Sequence, residues 1–201
     1  MSRSVIIVAA MLVFASSAWA DARSQLDAFA QGLETLSGEF KQVTIDDSGR
    51  VIEEVHGQLY FSRPDLFRWN YGEPFPQQLV ADGEKLWHYD ESLDQVTVRD
   101  QPDAGESPLL VLTRPELLDR FYEVRPGGDD QVLEFLPLAE DAEFELARIH
   151  FSDGLVDLLE LHDQFGQLTR IELRDLQRNP SLDPEVFSFT PPEGVDVLEG
   201  Y

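Results

Sequence analysis

The sequence of 201 residues predicts a mainly β protein with a few short α segments, in which antiparallel strands form one strongly curved sheet or an incomplete barrel. Three observations support this fold class. About ten segments of strand length are separated by tight turn sequences rich in Asp and Gly. Tight turns join strands in antiparallel order. About ten strands are too many for one flat sheet, so the sheet is expected to curl.

The first residues have the pattern of a secretory signal peptide. Arg3 supplies a short positive start, residues 5–15 are uncharged and apolar, and residues 18–20 (AWA) fit the small-x-small cleavage pattern. The apolar run is shorter than the roughly 18 residues that a membrane-spanning helix needs. The sequence therefore predicts export, with residues 1–20 as a signal peptide and residues 21–201 as a single soluble domain.

The mature chain is strongly acidic. The full sequence has 39 acidic and 15 basic residues and a net charge of −24, and loss of Arg3 with the leader changes it to −25. Such a charge argues against nucleic acid as a partner and against stable association with anionic membranes. The sequence contains no cysteine, which excludes disulfides, thiol chemistry and a diacylglycerol anchor on the chain itself. We expect a monomer located in the periplasm.

The mature chain opens with one amphipathic helix and continues as strands. Leu26, Phe29, Leu33 and Leu36 recur at helical spacing and predict a helix over residues 23–36. After Ser37 and Gly38 the pattern changes to that of strands. The following segments are then predicted as strands: 51–62, 66–71, 77–81, 85–89, 95–99, 132–136, 145–151, 155–162 and 168–176.

One segment interrupts the series of strands. Residues 101–106 are polar, and Ser107 followed by Pro108 has the pattern of a helix start. Residues 109–112 are apolar without a break, and a second short helix is predicted from residue 114 to residue 121. A short helix that is apolar on most sides must be largely buried. It either plugs the end of the barrel as ordinary core or covers a hollow as a lid.

Aromatic residues are concentrated on neighbouring predicted strands. Alternation along a strand places every second side chain on one face of the sheet. If the sheet curls with these faces inward, its interior is wide and apolar, and it is either a solid core or a ligand pocket. The aromatic residues are Phe40, Tyr60, Phe61, Phe67, Trp69, Tyr71, Trp87 and Tyr89.

The chain lacks a recognisable catalytic or metal-binding pattern. The histidines, His56, His88, His150 and His162, fall on separate predicted strands. No zinc-protease, nucleophile-elbow, phosphate-loop or dinucleotide-binding motif is present. We predict that the protein is not an enzyme and that it needs neither a metal nor a cofactor.

Arg63 is an unusual charge in this pattern. It shares strand parity with Leu59 and Phe61 and precedes Pro64, which ends the strand. One interpretation is an arginine at the sheet edge whose head extends to solvent. The other is an inward guanidinium that needs acceptors, which the free carbonyls of a helix end would supply.

Six segments, taken in order, resemble the outer-membrane lipoprotein carrier proteins of the LolA family. Together they run through essentially the whole mature chain. Each motif is weak alone, whereas the ordered set is specific. The segments are 36–42 (LSGEFKQ), 57–69 (GQLYFSRPDLFRW), 79–90 (LVADGEKLWHYD), 95–97 (QVT), 107–108 (SP) and 187–195 (FSFTPPEGV).

The resemblance implies an unclosed antiparallel β-barrel with an α-helical lid over an apolar cavity that takes lipoprotein acyl chains. It implies three partners: acylated lipoproteins as cargo, an inner-membrane ATP-driven lipoprotein-releasing complex as donor, and an outer-membrane lipoprotein as acceptor. Alternatives are a periplasmic carrier of another lipid or a sensor of acyl chains on the same fold, with a hydrolase as the remaining possibility.

The resemblance also implies roles for individual residues. In the family, the arginine of the R-P-x-x-F motif, here Arg63, bonds lid carbonyls and holds the lid shut. The lid is expected to include Pro108, Leu109, Leu110 and Leu112, with Leu109 and Leu110 at positions where relatives can carry Phe and Met. The expected cavity residues are Phe40, Leu59, Phe61, Phe67, Trp69, Leu79 and Trp87.

Overall fold

The computed structural model describes residues 21–101, 113–139, 142 and 144–200. Helix α1 spans Asp21–Ala30, and a 3-10 turn at Pro115–Leu117 leads into the short helix α2, Leu118–Phe121. A second 3-10 turn lies at Pro184–Phe187. The predicted signal peptide and the predicted lid residues Pro108, Leu109, Leu110 and Leu112 lie outside the described residues.

The described residues form twelve strands in a single sheet. The strands are β1 (Thr35–Ile45), β2 (Val51–Ser62), β3 (Leu66–Tyr71), β4 (Gln77–Ala81), β5 (Lys85–Asp90), β6 (Gln95–Asp100), β7 (Tyr122–Pro126), β8 (Val132–Pro137), β9 (Leu146–Ser152), β10 (Leu155–His162), β11 (Leu168–Arg178) and β12 (Asp196–Glu199). Their order across the sheet is β12-β6-β5-β4-β3-β2-β1-β11-β10-β9-β8-β7.

The sheet is open, and its long curved face confirms the predicted fold class. Neighbouring strands pair antiparallel, except that β12 pairs parallel with β6. Two strands, β7 and β12, were not predicted, and β1 was predicted only as the start of the strand pattern after Gly38. The parallel pair lies at the edge where the chain returns after the long strand β11 and the 3-10 turn, so it does not involve strands joined by a tight turn.

Helix α1 is shorter than the periodicity of the sequence predicts. It ends at Ala30, and Gly32 then adopts φ +66°, a left-handed conformation that favours glycine and ends helices. Leu33 and Leu36 continue the apolar spacing and are fully or almost fully buried, but Leu33 lies in the connection and Leu36 lies on β1. The predicted helix over residues 23–36 was too long because tertiary packing also accounts for these two leucines.

Apolar side chains are buried on both faces of the sheet. The concave face packs against α1 and α2 and forms one continuous hydrophobic cluster, which includes Leu26, Phe29 and Leu118. On the convex face, Val80 and Val96 are fully buried but lie outside that cluster. The segment after β11 packs over this face, and its own Phe187 is buried. Within the described residues, no helix is long and apolar enough to cross a membrane.

Candidate functional site

The concave face carries rows of large apolar side chains that run across the strands. Residues directly opposite each other in a ladder point to the same face. Phe61 of β2 lies opposite Phe67 of β3, and Leu59 lies opposite Trp69, which in turn lies opposite Leu79 of β4. The first four of these side chains are buried, and Leu79 is partly buried against the same cluster. These predicted cavity residues therefore share one face of the sheet.

Phe40 is the centre of an aromatic cluster on this face. Its ring centroid lies 4.5 Å from that of Trp69 and 5.1 Å from that of Tyr71, and the last contact is edge-to-face. Such geometries add attraction beyond the burial of apolar area. Phe40 is buried, so this cluster forms a continuous part of the interior.

The structure corrects the prediction for Trp87. Trp87 lies opposite Val80 of β4, so it points to the convex face, away from Trp69 and Leu79. Its ring packs 5.6 Å from Phe189, and its Nε1 donates a 2.8 Å hydrogen bond to Asp82. Trp87 is therefore part of the packing beneath the C-terminal segment and does not line the concave interior.

The described residues pack closely on the concave face beneath α1. The cavity between them there measures about 10 Å³, enough for about one water molecule. Pockets that bind drug-sized ligands measure roughly 300–1,000 Å³, so an acyl chain does not fit into this cavity unless α1 moves. The lining residues are Phe29, Leu36, Leu59, Tyr60, Phe61, Thr113, Val156 and Leu173.

Arg63 joins α1 to the chain that follows the predicted lid. Its guanidinium donates from Nε to the carbonyl of Leu33. Its Nη2 donates to the carbonyl of Thr113 at 2.8 Å and, at 3.4 Å, to that of Ala30. The side chain is partly buried, and its acceptors include carbonyls at the end of a helix, where the chain supplies few partners of its own. This geometry favours the inward interpretation of Arg63 over a side chain extended to solvent.

Two more arginines hold the segment after Thr113, and sequence reasoning missed their role. Arg23 of α1 donates two 3.1 Å hydrogen bonds to the carboxylate of Asp119 on α2. These hydrogen bonds lower the pKa of Asp119 and raise the pKa of Arg23. Arg114 donates to the carbonyl of Pro64 at 2.5 Å. Such pairs depend on contacts between distant segments, which spacing along the chain does not reveal.

A separate open cleft lies at the other end of the concave face, beyond the aromatic cluster. It has a volume of about 440 Å³. Burial, together with the charge of Glu53, raises the pKa of Tyr71 to about 12, so the tyrosine keeps its proton at neutral pH. This cleft was not predicted from the sequence. The lining residues are Gln42, Glu53, Val55, Tyr71, Phe75, Gln77, Leu79 and His88.

His56 and His88 lie apart from each other, whereas His162, 3.4 Å from Arg148, and His150 lie near the facing pair Arg148 and Glu160. His88 bonds Gln77, His150 lies 3.3 Å from Glu160, and His56 lies 3.6 Å from Glu54. Among the residues that the structure describes, no group of three or more His, Asp and Glu side chains is placed to hold a metal ion.

The fold and the site together define an open β-barrel protein with an apolar interior. The helices α1 and α2 lie over this interior and form its cover. The family model described as "Outer membrane lipoprotein carrier protein LolA" matches residues 31–190. The chain is 40% identical over 198 residues to an outer-membrane lipoprotein carrier protein of Halorhodospira halophila, covering 98% of this chain and 94% of that protein. It is 41% identical over 198 residues to one of Xanthomonas oryzae pv. oryzae, covering 95% and 94%. The chain belongs to the LolA family.

The likeness extends to a solved structure. An uncharacterized conserved protein from Thermus thermophilus aligns over 89% of this chain and 99% of its own, with a TM-score of 0.54 and 14% identity. At that identity the comparison supports the fold alone.

Proposed function

We propose that this protein is a periplasmic carrier that holds the acyl chains of lipoproteins. It would receive them from an inner-membrane ATP-driven lipoprotein-releasing complex and deliver them to an outer-membrane acceptor lipoprotein. Family membership and the names of the relatives support lipoprotein cargo. The observation that carries the proposal is an apolar concave face beneath α1 and α2, with Arg63 donating hydrogen bonds to carbonyls at the end of α1 and at Thr113.

The energetics of acyl chains explain why such a carrier is needed. Each methylene exposed to water costs about 0.8 kcal/mol, so a chain of about 16 carbons costs roughly 12 kcal/mol. A lipoprotein with two or three chains cannot cross an aqueous compartment unaided. A carrier offsets that cost by burying the chains, and no covalent bond is made or broken. Because the sequence has no nucleotide-binding motif, the energy for extraction must come from the donor complex.

The cargo would occupy the interior only after the cover moves. We assign the chain contacts to Phe40, Leu59, Phe61, Phe67 and the neighbouring Trp69 and Leu79, which share the concave face. In the closed state these side chains pack on each other and on α1, and the cavity between the described residues beneath α1 is about 10 Å³. Self-packing of the empty carrier therefore competes with cargo. This competition lets bound chains leave again.

Arg63 would set the balance between the closed and the open state. A net contribution of about 1.5–3 kcal/mol is typical for a hydrogen bond to a charged group. Arg63 bonds carbonyls at and just after the end of α1 and the carbonyl of Thr113, which precedes α2. Bonds of this size favour the closed state, yet they remain weak enough for cargo to overcome. The predicted lid residues Pro108, Leu109, Leu110 and Leu112 stay a prediction in this scheme.

The proposal is tested by isolating the mature protein from the periplasm and identifying what it carries by native mass spectrometry. We expect one acylated protein bound to one copy of the chain. Free phospholipid or glycolipid as the only ligand would favour a carrier of another lipid. Absence of any acylated ligand, also after overproduction of a lipoprotein, would contradict the carrier function. The same spectra report the oligomeric state.

A further inference from the structure

The open cleft beyond the aromatic cluster differs from the closed interior in its polarity. Its walls combine apolar Val55 and Leu79 with the amides of Gln42 and Gln77 and the hydroxyl of Tyr71. Leu79 and Tyr71 also pack against the main hydrophobic cluster. The cleft therefore shares a wall with the interior while offering donors and acceptors of hydrogen bonds. This combination suits the junction between acyl chains and a polar head.

The electrostatics of the cleft favour an uncharged head. Among the described residues that line it, Glu53 is the one carboxylate, and none is a lysine or arginine. The next residue on the strand, Glu54, points to the opposite face, where its carboxylate lies 3.0 Å from the ammonium group of Lys41. Lys41 is therefore paired on the convex face and does not neutralise Glu53. A phosphate in the cleft would meet an uncompensated negative charge, within a chain whose net charge is already −24.

We propose that this cleft receives the glyceryl ester and amide groups at the head of the acylated cargo and disfavours anionic phospholipid heads. This inference rests on the proposed carrier function and adds a basis for selectivity. The chains of a lipoprotein and of a membrane phospholipid are alike, so an apolar interior cannot distinguish them. Both molecules carry glyceryl esters, but their heads differ at the third glyceryl carbon: a diacylglyceryl-cysteinyl peptide has a thioether followed by amides there, whereas an anionic phospholipid has a phosphate.

The chain offers a matched pair of variants for the test. Glu53 and Glu54 are adjacent on β2 and point to opposite faces, since Glu54 pairs in register with Val43 and Glu53 with Thr44. Glu53→Gln and Glu54→Gln change the net charge of the protein equally. Any difference between them therefore reports position and not total charge.

Binding is measured by displacement of an environment-sensitive acyl probe. The competitors are a neutral N-acetylated dihexanoylglyceryl-cysteinyl peptide and dihexanoyl phosphatidylglycerol, whose short chains keep both monomeric in solution. We expect Glu53→Gln to raise the affinity for phosphatidylglycerol about 3- to 10-fold and to leave that for the peptide unchanged. Glu54→Gln should change neither affinity.

Glu53 accepts a hydrogen bond from Thr44, so Glu53→Gln could impair folding. A second pair of variants, at His88 and His56, keeps the proposal testable in that case. His88 lines the cleft and is exposed, whereas His56 is exposed on the convex face. We expect His88→Lys, but not His56→Lys, to raise the affinity for phosphatidylglycerol.

The possible failures are distinguishable. Equal effects of Glu53→Gln and Glu54→Gln, or of the two lysine variants, would overturn the assignment of head selection to the cleft and leave the carrier function intact. The same holds if no variant changes the preference. If neither competitor displaces the probe from the wild-type protein, both the carrier function and this inference are wrong.

Discussion

The ring of Phe40 lies directly over Gly57, its partner in the ladder between β1 and β2. A Cβ atom added at Gly57 would clash with Cζ of Phe40 and with the backbone oxygen of Asn70. The absence of a side chain at Gly57 is what allows Phe40 to lean towards Trp69 and Tyr71. One glycine on the sheet thus positions the aromatic cluster between the interior and the open cleft.

Gly57→Ala is therefore expected to destabilise the protein by about 2–3 kcal/mol, the upper part of the range for overpacked cores. The backbone oxygen of Asn70 cannot move away cheaply, and Phe40 must leave its position. Urea unfolding followed by tryptophan fluorescence measures the loss. Gly72→Ala is the control, because its nearest contact would be 3.2 Å, and it should cost less. Equal losses for the two variants would show that Phe40 does not depend on Gly57.

Phe67→Glu is expected to abolish binding of an acyl probe while the sheet stays folded. Phe67 lies on the concave face between Phe61 and Ala81. A carboxylate there disfavours the closed state but reaches water once the cover opens, whereas in a solid core it would cost several kcal/mol without relief. Circular dichroism and probe titration check both parts. Global unfolding of the variant would indicate that the interior is ordinary core.

Arg63→Leu is expected to load lipoprotein, to hold it as well as the wild type or better, and to pass it on poorly. The substitution keeps apolar volume but removes the bonds to Ala30, Leu33 and Thr113. Loss of about 1.5–3 kcal/mol from the closed state shifts the equilibrium about 10- to 100-fold towards the open state. Transfer from loaded carrier to an outer-membrane acceptor is the measurement.

Arg68→Leu is the matched control for the arginine variant. Arg68 also donates to backbone carbonyls, those of Val186 and Ser188, but it does so on the convex face. Its loss should lower stability without slowing transfer. If Arg63→Leu transfers at the wild-type rate, Arg63 is a structural edge charge and its proposed role in keeping the cover closed should be abandoned.

The pair of Arg23 and Asp119 gives a pH-dependent contribution to stability. The pKa of Asp119 is lowered in the folded protein by its hydrogen bonds from Arg23. The contribution is therefore complete above the unfolded carboxyl pKa of about 4 and is lost as the pH falls through the lower folded value. Because Asp119 is largely exposed, we expect Asp119→Asn to cost only about 0.5 kcal/mol at pH 7.

Urea unfolding of the wild type and of Asp119→Asn at a series of pH values checks this expectation. The difference between the two proteins should shrink towards zero at the acidic end. A difference that is constant with pH would mean that the carboxylate charge is not what holds α1 to α2.

The sequence predicted most strands because Asp-Gly turns bound them clearly, and β2, β3, β4 and β10 have the predicted limits. It failed where local signals were weak. Strand β12 is short, exposed and lacks alternation. Trp87 was assigned to the wrong face because alternation defines two faces of a strand but not which one faces the interior. Here both faces are apolar, since the C-terminal segment covers the convex one.

The candidate site was predictable to the extent that it lies on strands. Parity placed Phe61, Phe67 and Trp69 together, and the same parity could have indicated Gln42 and Glu53 as lining residues of the open cleft. The ties formed by Arg23 and Arg114 were not predictable, because they join segments about 50 to 100 residues apart. Such contacts depend on how the helices lie on the finished sheet.

The linear order of the sheet leaves β7 and β12 at opposite edges, unpaired with each other among the residues described. A closed barrel fixes its own circumference, since any widening must rupture a ladder somewhere. A sheet with two open edges does not have that restriction. The diameter enclosed by this curved sheet can change through slight untwisting at its eleven strand pairs, with the backbone hydrogen bonds between strands kept. If the protein carries acyl chains as proposed, the open edge would let one scaffold take chains of different bulk.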